Sequence, residues 1–382
     1  MILAIIIVAI FLSIVYIGII AFLYKGLRNI LPHTSPHNLS FSVVIAARNE
    51  ENNITECLES VLTQTIDAAR YEVILVNDRS SDRTAQIADL FAQKHVNFSV
   101  ITIDKTPDGF SPKKFAVQQG INSAKNEIIV FTDADCTVPP SWLSTIDAYF
   151  YIDTGLVQGI TTYSFINGMN RLFYGLQAVD FLSHGVVAAA AIGANLPINS
   201  NANNFAFRKQ AFVDATGYGK NNAVVSGDDD LLLQRIWETD KWNIRFMADL
   251  KGAVQTLPSV SISQVFEQRK RWGSKTIHYS VQQIALLSGV FFFYLSIALT
   301  FCAGFFMPQL FAVCGSLLLV KFTGEVVLMW PGTRMFGQLS LRKYLLPGSI
   351  VQLPMVLAAV VLGVFGKFVW KEQKFGRVVD NR

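Results

Sequence analysis

Ile128-Ile129-Val130-Phe131-Thr132-Asp133-Ala134-Asp135-Cys136 is the stretch on which the reading of the chain turns. Four apolar residues in succession read as a buried strand. Side chains alternate along a strand, so Asp133 and Asp135 at its end point the same way. Carboxylates that close repel unless a cation lies between them. Hard oxygen ligands suit Mg²⁺ or Mn²⁺, and Mg²⁺ is usually held by one or two carboxylates plus substrate phosphates. Asp135 and Asp133 are therefore candidate ligands for a metal-bound nucleotide diphosphate. A solvated turn is the competing reading, and the surrounding chain decides between them.

Upstream, Phe41–Ala46 reads as a buried strand that leads through Ala47–Asn52 into a helical pattern over Ile54–Leu62. Tyr71–Val76 is a second strand, ending in Asn77-Asp78-Arg79-Ser80-Ser81-Asp82-Arg83-Thr84, with a helix to about Phe91. Phe98–Ile103 is a third, and a helix from Lys113 to about Ala124 returns the chain to Ile128. Strands alternating with helices predict βαβ units and a parallel sheet. Ligands of such sheets bind off the carboxyl ends of the strands. Asp78, Asp133 and Asp135 all fall at such ends, which predicts one shared cleft. Neither GxGxxG nor GxxxxGK[ST] occurs, so metal and basic side chains must hold any diphosphate.

The 382 residues are 51% hydrophobic and 16% charged, too apolar for an ordinary soluble domain. A net charge of +4 does not suggest nucleic acid and suits basic groups facing anionic lipid and phosphate. Residues 2–23 carry no charge and are long enough to cross a bilayer as a retained anchor. Lys25 and Arg28 follow, which places that end and the next domain in the cytoplasm. Leu286–Met307 and Leu310–Trp330 are two further spans, with Lys321 and Glu325 on one face of the second. Tyr344–Gly366 is a third candidate, broken by Pro347 and Pro354. Five basic residues against two acidic in Lys367–Arg382 leave its topology open. Cys57, Cys136, Cys302 and Cys314 are far apart and read as reduced thiols, with no zinc site.

Other signals have plain alternatives. Asp82 reads as a helix cap. Lys113 and Lys114 begin a helix, where basic residues are electrostatically unhelpful; a solvated face is the usual reading of such a pair. Gly227-Asp228-Asp229-Asp230 precedes a helix, and three acids exceed what capping needs. Asp230 reads as a cap or as a group that supports its neighbours. Gln268, Arg271 and Trp272 fall near one helical face, which also fits a helix at the membrane surface. Val186–Ala194 is too short to span, so Phe181–Pro197 reads as loops, with His184 as readily structural as functional.

Taken together, Val43–Glu50, Val76–Thr84, Pro112–Val117, Thr132–Cys136, Ser200–Lys209, Gly227–Leu231 and Gln268–Trp272 resemble, in order and spacing, the successive motifs of family 2 glycosyltransferases. Asn77, Ala202 and Asp228 stand where that family often has Asp, Gly and Glu. The resemblance implies an α/β GT-A fold (Rossmann-like, for nucleotide-diphospho-sugars) with transmembrane helices at both ends, covering residues 40–275. It implies an N-terminal helix at 1–24, a linker at 25–39 and a catalytic domain at 40–265. An interfacial helix at 266–283, two or three membrane helices in 284–370 and a basic tail at 371–382 complete the division. Ala46, Arg48, Glu50, Asp78, Lys113, Asp133, Asp135, Gln268, Arg271 and Trp272 would bind the donor, with Asp78 on the nucleoside. Asp133 and Asp135 would hold Mg²⁺ or Mn²⁺, Asp229 would be the base and Asp228 its neighbour at the acceptor. The Gln-x-x-Arg-Trp branch implies a membrane-bound enzyme of the polysaccharide synthase or ceramide glucosyltransferase kind. It would be inverting, use a UDP-sugar and sit in the bacterial inner membrane. A glycan acceptor and a lipid acceptor compete, and a non-catalytic nucleotide-binding membrane scaffold is the reading of another class.

Overall fold

A computed structural model describes residues 2–32, 35–224 and 226–366, and the backbone of 368–370 and 373–375. The chain forms two compact units. One comprises Ile30–Gly168 and Pro197–Pro258, the other Met1–Asn29, Met169–Leu196 and Ser259–Val379.

The first unit is built on β1 (Phe41–Ala47), β2 (Tyr71–Asp78), β3 (Phe98–Ile103), β4 (Ile128–Phe131), β5 (Thr154–Gly159), β6 (Thr161–Tyr163), β7 (Phe205–Arg208), β8 (Asn243–Met247) and β9 (Val254–Thr256). Seven strands make one sheet in the order β3-β2-β1-β4-β7-β5-β8, and β6 pairs with β9 beside it. The strands β3, β2, β1 and β4 are parallel, in the register Phe41↔Tyr71 and Phe41↔Ile128. That half is the expected βαβ array. Its Val- and Ile-rich strands are buried because helices Ile54–Leu62, Thr84–Lys94 and Pro112–Ser123 connect them across its faces.

The other half departs from the parallel expectation. Strand β7 runs antiparallel between β4 and β5, with Phe131 opposite Phe205. The apolar run of β7 looks like any buried strand, so the sequence gives no sign of its direction. Its direction brings the start of β7 to the same rim as the end of β4. Trp142, fully buried, fixes this entry by donating to Asn204 Oδ1 at 2.9 Å. Asn204 Nδ2 in turn donates to the carbonyls of Ile160 and Gly252, each at 2.8 Å.

The second unit is helical: Ile2–Arg28, Arg171–Gly193, Ile262–Ser274, Val281–Gly304, Leu310–Met335 and Leu345–Phe365. Among the described residues, five helices are long and apolar enough to cross a membrane: Ile2–Arg28, Arg171–Gly193, Val281–Gly304, Leu310–Met335 and Leu339–Gly363. Leu3, Phe11 and Ile14 on the first, and Phe305 and Phe306 just beyond Val281–Gly304, are exposed, as apolar surface facing lipid would be. Three expectations change here. Phe181–Pro197 is not loop, because residues 171–193 form one helix; its glycines, costing about 1 kcal/mol each, lie where neighbours pack onto bare backbone. A Cβ on Gly185 would meet the Phe336 ring at 2.7 Å. The last helix is not broken by its prolines: Pro347 sits in the first turn, where no helical N–H bond is lost, and the helix runs on through Pro354. The helix bearing Gln268–Trp272 ends at Ser274 rather than 283, since a turn at Thr276–His278 precedes a new start capped reciprocally by Ser280 and Gln283.

Close approach also binds the first helix to its neighbour. A Cβ on Gly26 would fall 2.0 Å from Ala190 O. Lys321 and Glu325 pair as their spacing predicts, and Lys321 Nζ also donates to Ser349 O at 2.8 Å and Ser349 Oγ at 2.9 Å. Tyr294 OH reaches Glu325 Oε1 at 2.8 Å. The four cysteines are free thiols. The basic tail at 371–382 lies outside the described residues apart from the backbone of Gln373–Phe375, which pairs with Phe368–Trp370.

Candidate active site

The rim of the sheet is made by the ends of β1, β2 and β4 and the beginning of β7. In register, Ala46 faces Val76 and Ala47 faces Asn77. The loops beyond are tied together. Asn49, at φ 54°, accepts from Ser81 N at 2.8 Å. Glu50 N donates to Thr84 Oγ1 at 2.8 Å, and Glu51 N to Asp82 Oδ2 at 3.0 Å. Asp82 also accepts from Thr84 N at 3.0 Å, but the N-cap of helix Thr84–Lys94 is Arg83, so Asp82 closes the turn one residue before the cap it is expected to be. Ala46, Arg48, Glu50 and Asp78 thus sit on adjoining strand ends. Asp78 is buried and accepts from Arg79 Nε at 2.8 Å.

Beyond β4, Lys113 Nζ lies 2.9 Å from Asp133 Oδ1 and 3.0 Å from Asp228 Oδ2. One ammonium therefore joins the Asp-Ala-Asp turn to the Gly-Asp-Asp-Asp segment. Burial pushes this ammonium down, but the two carboxylates outweigh it and hold it above the ordinary lysine range. Asp135 has no such relief. Burial, then the charges of Asp133 and Glu50, push its carboxyl up to about 6. Beside it, Cys57 and Cys136 are buried thiols held well above their ordinary range, by burial first and by Asp135 and Asp133 after it. They stay protonated and are poor metal ligands. Cys136 Sγ accepts from Asn203 Nδ2 at 2.8 Å, which fastens the turn to the start of β7.

Crowded carboxylates with hard oxygens suit a divalent cation. Among the described residues no three His, Cys, Asp or Glu side chains converge to hold one unaided. This fits the Mg²⁺ pattern, in which protein gives one or two carboxylates and a phosphate-bearing ligand completes the shell.

Gly227, at φ 82°, takes a backbone shape that side chains disfavour, and so turns the chain into the acidic run. Asp229 is the N-cap of helix Asp230–Trp237: its Oδ1 accepts from Asp230 N at 2.8 Å. The cap is thus Asp229 rather than Asp230, which is buried inside the first turn. Asp229 Oδ2 accepts from Ala202 N at 3.0 Å.

Two residues escaped the sequence reading. Lys114 is not a solvated lysine; it is fully buried, and its Nζ donates to Asn221 O at 2.9 Å and Ser226 O at 3.1 Å. It braces the loop that delivers Asp228 and Asp229. The signal was present, because Lys114, Val117 and Ile121 share one helical face and all three are buried. Tyr218 is the other. Its hydroxyl is buried, and burial, then Asp228 and Asp229, hold it well above the ordinary phenol range. Gln268, Arg271 and Trp272 belong to the helical unit, where Gln268 Oε1 accepts from Arg269 Nη1 at 2.6 Å.

Comparison with known proteins bears on the fold that carries these residues. Residues 42–179 match the profile of Glycosyl transferase family 2. Glycosyltransferase AglE of Haloferax volcanii is 31% identical over 131 residues, spanning 33% of this chain and 41% of AglE. The beta-monoglucosyldiacylglycerol synthase of Synechocystis sp. is 25% identical over 239 residues, 60% of this chain and 46% of the synthase. Each match spans less than half of the relative. The solved mannosyltransferase PcManGT from Pyrobaculum calidifontis, in complex with GDP-Man and Mn²⁺, superposes with a TM-score of 0.58 at 16% identity over 94% of this chain and 98% of its own. The mixed sheet is therefore GT-A-like.

Proposed function

We propose that the chain is a membrane-bound glycosyltransferase that moves a sugar from a nucleoside-diphosphate donor, a UDP-sugar, onto a growing glycan with inversion at the anomeric carbon. The observation that carries the reading is Lys113 held between Asp133 and Asp228, which sets two distant acidic segments around one place. Asp78 binds the nucleoside, with Ala46, Arg48 and Glu50 on the neighbouring strand end. Asp135, with Asp133 beside it, would hold Mg²⁺ or Mn²⁺, which would supply neutralisation of the leaving diphosphate. Lys113 keeps the two carboxylates together and has a third N–H to offer a phosphate oxygen. Asp229 accepts the proton of the acceptor hydroxyl as its oxygen attacks the anomeric carbon opposite the departing diphosphate. The C–O bond to the diphosphate breaks as the new glycosidic bond forms. The basic Lys25 and Arg28 after the first apolar helix put the sheet unit on the cytoplasmic side, in a bacterial inner membrane.

A second reading has support of its own. The synthase that matches 60% of this chain is named for a glycolipid, so a single sugar passed to a lipid is the alternative. Membranes containing the protein, incubated with a panel of labelled nucleotide sugars, should release nucleoside diphosphate and stop on chelation of divalent ions. A ladder of products supports the glycan acceptor, and one added sugar on a lipid supports the other. Donor binding without any turnover would leave only a scaffold.

A further inference from the structure

We infer that Arg269 and Asp180, neither of which belongs to the Gln-x-x-Arg-Trp pattern, are the positioning residues for Gln268 and Trp272. Arg269 lies between the two patterned residues and uses every side of its fork. Nε donates to Asp180 Oδ2 at 2.7 Å, Nη2 pairs with the same oxygen, and Nη1 donates to Gln268 Oε1 at 2.6 Å. Its flat face covers the Trp272 ring, with Cζ 4.2 Å from the ring centroid. Arg269 and Asp180 are 5% and 7% exposed, so the pair is desolvated.

Trp272 is gripped from the facing helix as well. Asp180, Phe181 and His184 occupy one side of Arg171–Gly193. His184 meets the indole edge-on, with centroids 5.0 Å apart and planes at 78°, and Phe181 lies at 6.4 Å. The planar guanidinium is what makes this possible. It binds a carboxylate, an amide oxygen and a π face at once, and its rigid planar fork fixes the direction of each contact. A buried ion pair is rarely more stabilising than apolar packing of the same volume. What it adds here is direction: one side chain fixes the Gln268 amide and the plane of Trp272 together. Tight support of this kind is what holds a functional group within about 0.5 Å of its working geometry.

The kinetic part of the inference rests on glycosyl transfer as proposed above; the spectroscopic part does not. The full chain, labelled with 5-fluorotryptophan and placed in lipid nanodiscs, has six tryptophans to report by ¹⁹F resonance, and Trp272→Phe assigns the relevant line. Asp180→Asn alone would strand a buried guanidinium and could unfold the region, so the key variant is Asp180→Asn with Arg269→Met, which removes both charges. The expected result is that the Trp272 line moves and broadens while the other five hold. Release of nucleoside diphosphate should fall about 10- to 100-fold, the usual size of a lost supporting contact. Asp180→Glu with Arg269 intact should restore both. An unmoved Trp272 line overturns the inference, and so does displacement of all six lines, which would make the pair purely structural. A moved line with undiminished turnover overturns the kinetic part. If the parent protein turns over no donor, the glycosyltransferase reading fails and the ¹⁹F lines alone decide the role of the pair.

Discussion

The helical unit and the acidic rim of the sheet unit handle buried charge in opposite ways. In the helical unit acids come with their own bases: Asp180 with Arg269 and Glu325 with Lys321. At the rim of the sheet unit Glu50, Asp133, Asp135, Asp228 and Asp229 gather, and Lys113 reaches two of them. Balanced pairs set the geometry of a bundle. A local excess of one sign is costly to the fold, and it persists where something of the other sign is brought in by a ligand.

The largest effect should come from the unbalanced region. Asp229→Asn should lower kcat by about 10²- to 10⁴-fold, the usual loss of a general base, while calorimetry shows nucleoside diphosphate binding unchanged. Equal loss of both would make Asp229 a cap and nothing more. On the balanced side, Lys321→Met alone should reduce unfolding free energy by about 3–5 kcal/mol, and adding Glu325→Leu should recover most of it. Denaturation in detergent measures both, and a mild single variant would dissolve the contrast between the units. Lys114→Met should cost about 1–3 kcal/mol, because the carbonyls of Asn221 and Ser226 lose their buried donor; chemical unfolding reads it.

The smallest effect is a titration. The carboxyl of Asp135 is pushed up to about 6 from an ordinary 3.8. A carboxyl raised on folding favours the fold when protonated, so that contribution is present below pH about 4 and is lost as pH rises through about 6. A cation on the ionised group should offset the loss. Mn²⁺ should therefore raise the thermal midpoint by about 2–4 °C near pH 7 and leave it unmoved near pH 5. Asp135→Asn should abolish the difference, and an equal shift at both pH values would remove Asp135 from the metal site.

What the sequence discloses follows how local each signal is. The parallel strands and their terminal acids are legible because apolar runs and βαβ alternation are local patterns. Strand β7 is not, since its four residues say nothing about which neighbours they join. The Arg269–Asp180 pair spans 89 positions, and nothing near either residue announces the other. Lys114 lay on a readable apolar stripe, but a lysine pair at a helix start invites the solvated reading. Asp230 looked like the cap because three identical residues cannot be told apart until the helix boundary is known.

The contact at Gly26 bears on how the protein can be handled in the laboratory. Backbone-to-backbone approach at Ala190 means that the first helix is a fitted part, and a generic hydrophobic leader spliced in its place would lack the notch. Trimming residues 2–28 to obtain a detergent-free fragment would strip the cover from Ala190, which is wholly buried in the intact chain. Shortened versions should therefore aggregate, and the workable preparation keeps its amino-terminal segment.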